Sequence, residues 1–190
     1  VFGKSIPELN SEELDKIRAR VGFLFQSNAL YDSMTVRQNL EFPLRRHWMK
    51  MGQREVNEKV QQALDDVGLS HTIDMMPAEL SGGMRKRIAL ARTLILQPEI
   101  ILYDEPTTGL DPVTGREIIG LMKEIQGKYS TTSLIISHDM HCVRTAGNRI
   151  VILIGGRCYA NGTFDQLKKE TDPAIRQFFE QESYGTENSK

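Results

Sequence analysis

From Leu80 to Asp139 the chain presents in turn Leu80-Ser81-Gly82-Gly83-Met84, Glu99-Ile100-Ile101-Leu102-Tyr103-Asp104-Glu105-Pro106, Gly109-Leu110-Asp111-Pro112 and Ser133-Leu134-Ile135-Ile136-Ser137-His138-Asp139. The second of these runs decides the fold class. Its apolar residues, Ile100 to Tyr103, read as a buried strand that ends directly in two acids, and the fourth run is another apolar strand that delivers His138 at its end. Parallel strands in α/β domains present ligands at their carboxyl ends, where both acids and the histidine fall. Alternation along an extended backbone sends Asp104 and Glu105 to opposite sides, so the two carboxylates divide the work between them.

Upstream of that strand, Ser81 is well placed as a helix N-cap. Gly82 and Gly83 carry no side chain to keep an anion from the first-turn N–H groups. Met84, Ile88, Ala91 and Ile95 form an apolar stripe behind this tip. Arg85, Lys86 and Arg87 stand in the first turns, where the helix dipole disfavours each cation by roughly a few tenths of a kcal/mol. They read either as a cluster with a purpose or as a solvated basic face. Downstream, Asp111-Pro112 is a good N-cap and N1 pair, so Asp111 has a structural reading beside any functional one. His138 equally has a reading as a satisfied histidine at a strand end.

Farther out, Val21-Gly22-Phe23-Leu24-Phe25 reads as a buried-type strand ending at Gln26, broken by Ser27 to Leu30. From Thr35 to Gly68 the texture is helical. Met34 to Leu40 gives a helix start, Phe42-Pro43-Leu44 a break, and Val56, Val60, Ala63, Leu64 and Val67 a second amphipathic stripe. Arg45-Arg46-His47-Trp48-Met49-Lys50-Met51 mixes basic and large apolar groups, as a docking surface or as a solvated face over a tryptophan. Val1 to Ser5 reads as a strand tail and turn, and Ser11 to Ile17 as a short capped helix. Gly3-Lys4-Ser5 matches the end of a phosphate-cradling G-x-x-x-x-G-K-[ST] loop, but Ile6-Pro7 and the polar run after it are a poor start for the apolar helix such a loop feeds. We reject that reading. Ile150 to Ile154, Gly155-Gly156 and Arg157 to Ala160 form a hairpin, and a helical piece spans Thr163 to about Glu182 before a polar tail.

The 190 residues suit one α/β domain with an insertion. Lys+Arg 24 against Asp+Glu 25 leaves no overall field that favours nucleic acid or an acidic membrane. Cys142 and Cys158 lack metal or redox spacing and read as free, partly buried thiols in a reducing compartment. No apolar run approaches the roughly 20 residues of a membrane span, and no cleavable leader opens the chain.

In order and spacing, these runs resemble the signature, Walker B, D-loop and switch-histidine motifs of the ATP-binding-cassette (ABC) ATPases, with Gln26 similar to their Q-loop residue. The resemblance runs from Val1 to about Glu182. Phe23 to Tyr31, Phe42-Pro43-Leu44-Arg45 and Asp172 to Phe178 look most like the Mla/MCE-type phospholipid-trafficking branch. It implies an α/β fold with a P-loop NTPase-like core, a mostly parallel sheet and an inserted α-helical subdomain. As one domain this would span 1–182, with core 1–30 and 98–182, helical subdomain about 31–97, and a flexible tail 183–190.

The resemblance also implies ATP and Mg²⁺ as cofactors. Gln26, Ser81, Gly82, Gly83, Asp104 and Asp111 would contact nucleotide, with Asp104 and Gln26 reaching Mg²⁺ partly through water. Glu105 would orient or deprotonate the attacking water, and His138 would hold the γ-phosphate. The implied partners are a second copy, clasped head to tail, and a membrane-spanning permease that holds the cytoplasmic subunit at the inner face of the cell membrane; nucleic acid is not among them. In that family the P-loop lies farther upstream of the glutamine than Ser5 lies from Gln26. The expectation is therefore an N-terminally truncated ATPase subunit without its Walker A loop, nearly inactive alone. A second reading is a non-transport ABC-type ATPase acting as a nucleotide-gated interaction or regulatory module.

Overall fold

Three strands, β1 (Val21–Leu24), β2 (Ile100–Asp104) and β3 (Thr132–Ile136), pair in parallel in the order β1-β2-β3. The register sets Leu24 opposite Tyr103 and Asp104 opposite Ile136, so the carboxyl ends of all three strands share one rim. The computed structural model describes residues 1–46 and 51–186, which fall into two compact units, Val1–Ile136 and Ser137–Lys190.

In the first unit the helices are α1 (Ser11–Ala19), α2 (Val36–Arg46), α3 (Gln53–Asp66), α4 (Gly82–Leu94) and α5 (Pro112–Tyr129). Local signals place their ends. Asn10 and Glu13 form a reciprocal capping box on α1, and Asp111 caps α5, which runs until Ser130 turns left-handed at φ 51°. Tertiary packing decides the rest. Leu24, Ile101 and Tyr103 from one sheet face join Val56, Val60, Leu64, Ile88, Leu90, Ile118 and Ile125 in the main core.

The structure corrects several sequence expectations. α2 runs straight through Pro43 rather than breaking there. Leu40 and Leu44, on one helical face, are both buried, and this burial outweighs the single backbone hydrogen bond that a proline removes. Val1 to Ser5 forms a turn closed by Lys4 N–H donating to Val1 O at 2.9 Å, with no strand. Nor is β1 buried on both sides. Phe23 and Phe25 are 41% and 45% exposed and stack at 4.2 Å, on the same sheet face as Leu134 and Ile136, which are 59% and 62% exposed.

The second unit holds α6 (Met140–Ala146), the antiparallel hairpin β4 (Ile150–Ile154) and β5 (Arg157–Gly162), α7 (Phe164–Lys168) and α8 (Pro173–Thr186). Gly155 and Gly156 make the hairpin turn with φ 57° and 75°, the left-handed pair that a two-residue loop requires. The terminal helical piece is two helices, because Asp172 and Pro173 start a new one: Asp172 Oδ1 accepts from Ala174 N–H at 2.8 Å. α8 continues to Thr186. Cys142 is buried and Cys158 exposed, and neither is in a disulfide. His47, Trp48, Met49 and Lys50 of the basic-apolar cluster, and Glu187 to Lys190 of the polar tail, lie outside the described residues.

Candidate functional site

At the rim, Gln26 and Glu105 each stand two residues past the Leu24–Tyr103 rung, and Asp104 is the last residue of β2. Gln26 is exposed; both acids are half-buried. Glu105 has φ 46°, so a left-handed backbone, and not pleat alternation alone, separates its side chain from that of Asp104. That conformation is unfavourable for a residue with a Cβ. Its surroundings hold it: Glu105 N–H donates to Ile136 O at 2.9 Å, Thr108 N–H donates to Glu105 O at 3.3 Å, and Thr108 Oγ1 donates to Glu105 Oε2 at 3.1 Å. Backbone held in a sparsely populated region by its surroundings is common where a side chain must be aimed.

The helix tip forms as its sequence suggests. Ser81 is exposed and its Oγ accepts from Met84 N–H at 3.2 Å. The first N–H groups of α4 have no acceptor within the helix itself. Gly83 also has a packing reason to be small, whereas a Cβ at Gly82 would meet only ordinary van der Waals contact. A Cβ at Gly83 would lie 2.6 Å from Thr114 Cγ2, and one at Gly82 would lie 3.8 Å from Leu110 Cδ2. The tips of α4 and α5 are therefore neighbours, which brings Ser81, Gly82 and Gly83 beside Asp111. Asp111 is an N-cap: Oδ1 accepts from Val113 N–H at 3.0 Å and Thr114 N–H at 3.1 Å, and Oδ2 accepts from Thr114 Oγ1 at 2.5 Å. The Thr114 hydroxyl, helped by those amides, holds its carboxyl below the usual range.

His138 belongs to the second unit, exposed, between Ser137 and Asp139. Asp139 Oδ1 accepts from His141 N–H at 2.9 Å and Cys142 N–H at 3.3 Å, fixing the start of α6 directly after the histidine.

The basic trio divides. Arg85 donates to Leu80 O at 2.6 Å and Arg87 to Glu117 at 2.7 Å, while Lys86 is buried and reaches the loop that follows β1, where Nζ donates to Gln26 O at 2.9 Å. Sequence reasoning singled out neither Lys86 alone nor Arg92. A signal was present, because Lys86 shares a helical face with Ala89, Leu90 and Thr93, a second mostly apolar stripe on α4.

The chemistry of this donor set suits a hydrated hard cation and not an all-protein cage. Among the described residues no group of three or more His, Cys, Asp or Glu is placed to hold a metal. One carboxylate at a rim, completed by water and phosphate oxygens, is the pattern that Mg²⁺ favours. Gly3-Lys4-Ser5 does not form a phosphate cradle: Gly3 lies in the turn, and Lys4 is ion-paired with Glu13 at 3.2 Å. Among the described residues no helix is long and apolar enough to cross a membrane.

A family model described as ABC transporter matches residues 3–108. The chain is 37% identical over 183 residues to the intermembrane phospholipid transport system ATP-binding protein MlaF of Haemophilus influenzae, covering 96% of this chain and 69% of that protein. It is 36% identical over 178 residues to the MlaF protein of Escherichia coli, covering 94% and 66%. With the methionine import ATP-binding protein MetN 2 of Bacillus cereus it shares 38% identity over 172 residues, covering 88% and 50%. The chain thus spans about two thirds of the length of these MlaF relatives. Among solved structures it resembles an ATP-binding cassette captured as a dimer in a post-hydrolysis state with ADP and Pi, at a TM-score of 0.72 and 33% identity over 82% of this chain and 68% of that one.

Proposed function

Because the chain belongs to the ABC transporter family, we propose that it is the ATP-binding and ATP-hydrolysing part of a transporter that moves phospholipid or a related envelope lipid. The observation that carries the catalytic reading is Glu105, held left-handed at the sheet rim beside Asp104 and level with Gln26. The lipid reading rests on the two MlaF relatives.

In this reading Asp104 and Gln26 hold the hydration shell of Mg²⁺. Mg²⁺, when bound, neutralises charge on the β- and γ-phosphates. Glu105, fixed through Ile136 and Thr108, orients the attacking water or takes its proton. His138 contacts the γ-phosphate. The Ser81-capped tip, with the bare N–H groups of Gly82 and Gly83, receives phosphate oxygens of a nucleotide held by a second, head-to-tail copy, and Asp111 lines the same junction. Closure of the pair drives a permease that keeps the subunit at the inner face of the membrane. The turn at Gly3-Lys4-Ser5 supplies no phosphate cradle, so the 190-residue polypeptide alone turns over ATP only at background.

Steady-state hydrolysis tests this. In the assembled transporter, Glu105→Gln is expected to lower kcat by about 10²- to 10³-fold with ATP still bound. An unchanged kcat would remove Glu105 from its role. Turnover by the 190-residue polypeptide alone, abolished by Glu105→Gln, would overturn the statement about the cradle.

A further inference from the structure

Lys86 sits in the second turn of α4 and is only 1% exposed. Two effects oppose a cation there: the positive end of the helix dipole and the loss of hydration. What offsets them comes from the sheet rim. Nζ donates to Gln26 O at 2.9 Å and to Phe25 O at 3.4 Å. Burial pushes its pKa down, while the charge of Asp104 pulls the other way.

The same helix grips the next part of the loop. Arg92 donates to Asn28 O at 3.2 Å and Ala29 O at 2.8 Å, and Thr93 Oγ1 donates to Phe23 O at 3.2 Å. α4 therefore holds carbonyls of Phe23, Phe25, Gln26, Asn28 and Ala29. Asn28 and Ala29 lie at φ 66° and 51°. Two consecutive left-handed residues with side chains are not a self-supporting conformation, so the loop depends on these donors for its shape. The amino end of this helix is the Ser81–Gly83 tip.

We propose that Lys86 is a positioning residue whose buried ammonium locks Gln26 to α4, so that the tip of the helix and the Gln26 loop shift as one body. This rests on the function proposed above, in which the tip meets the nucleotide of the partner copy while Gln26 serves the chain's own. Lys86 then transmits occupancy of one nucleotide site to the other. Arg85 and Arg87 cannot do this, because their bonds stay within the helical layer, at Leu80 and Glu117.

Amide hydrogen exchange of the 190-residue chain reads the lock directly, without requiring activity. Lys86→Met is expected to speed exchange across Gln26–Ala29 about tenfold or more while the strands keep their protection, and Lys86→Arg to return it to within about threefold of wild type. Lys86→Gln, which keeps a shorter donor, falls between them and serves if the methionine variant does not fold. Unaltered loop exchange in a folded Lys86→Met or Lys86→Gln chain overturns the lock. In the assembled transporter, Lys86→Met is expected to lower kcat about tenfold with KM for ATP within about twofold, restored by arginine. A loosened loop with unchanged kcat would leave the lock standing and overturn its role in coupling, whereas an unchanged kcat in Gln26→Ala would remove the catalytic reading of Gln26 and leave the lock untouched.

Discussion

A methyl group at position 83 would sit 2.6 Å from Thr114 Cγ2, closer than any relaxed carbon pair. That single distance gives one glycine of the helix tip a packing reason to be small. Gly83→Ala is expected to destabilise the fold by about 1–3 kcal/mol through overpacking. Better helix propensity returns at most about 1 kcal/mol of that. Thr114→Ser removes the offending methyl but keeps the hydroxyl that donates to Asp111 Oδ2 at 2.5 Å. The double variant should therefore regain most of the loss in urea denaturation. If Gly83→Ala alone shifts nothing, the approach of the two helix tips is not set there. The residue scale also shows why Asp111 and Glu105 differ. The cap bonds of Asp111 are local and readable from Asp-Pro, whereas the backbone of Glu105 is held by Ile136, a strand away.

Between elements, the clearest tie is Asp66, at the end of α3. It accepts from Gln62 at 2.8 Å, from Lys128 at 2.5 Å and from the Tyr129 hydroxyl, joining α3 to the end of α5. Burial raises its pKa, but Lys128, Tyr129 and Gln62 outweigh this and hold the carboxyl below its ordinary 3.8. A depressed folded pKa gives stability that is present above the unfolded value and is lost as pH falls through the folded one. Asp66→Asn should therefore cost about 1–3 kcal/mol at pH 7, and the gap to wild type should shrink below about pH 4. A gap that stays constant from pH 7 to pH 3 would show that charge is not what Asp66 supplies. Periodic elements were legible: the stripe from Val56 to Val67 is buried as its spacing indicates. The continuation of α2 through Pro43 was not, because a proline's local cost can be read from sequence while the burial of Leu40 and Leu44 that overrides it cannot.

At the largest scale, the parallel sheet of the first unit has exposed apolar side chains on one face, where such sheets are normally packed on both sides. Phe23, Phe25, Leu134 and Ile136 form that face. The chain is therefore expected to bind a hydrophobic dye such as anilinonaphthalene sulfonate, and Leu134→Ser/Ile136→Ser to remove roughly half or more of the fluorescence. Dye binding that ignores the double substitution would place the accessible apolar surface elsewhere. The sequence alone determined the order of strands and caps, the two acids at a strand's end, the glycine-bared helix tip and the family they resemble. All of these are written in residue type and spacing along a short stretch of chain. Only the tertiary structure decided that Lys86 is buried, that Gly83 must clear Thr114 and that Phe23, Phe25, Leu134 and Ile136 are exposed together on one sheet face. The reason is physical: periodicity says that a side chain has a side, but what meets it, such as a carbonyl 60 residues away, is set only when distant segments pack.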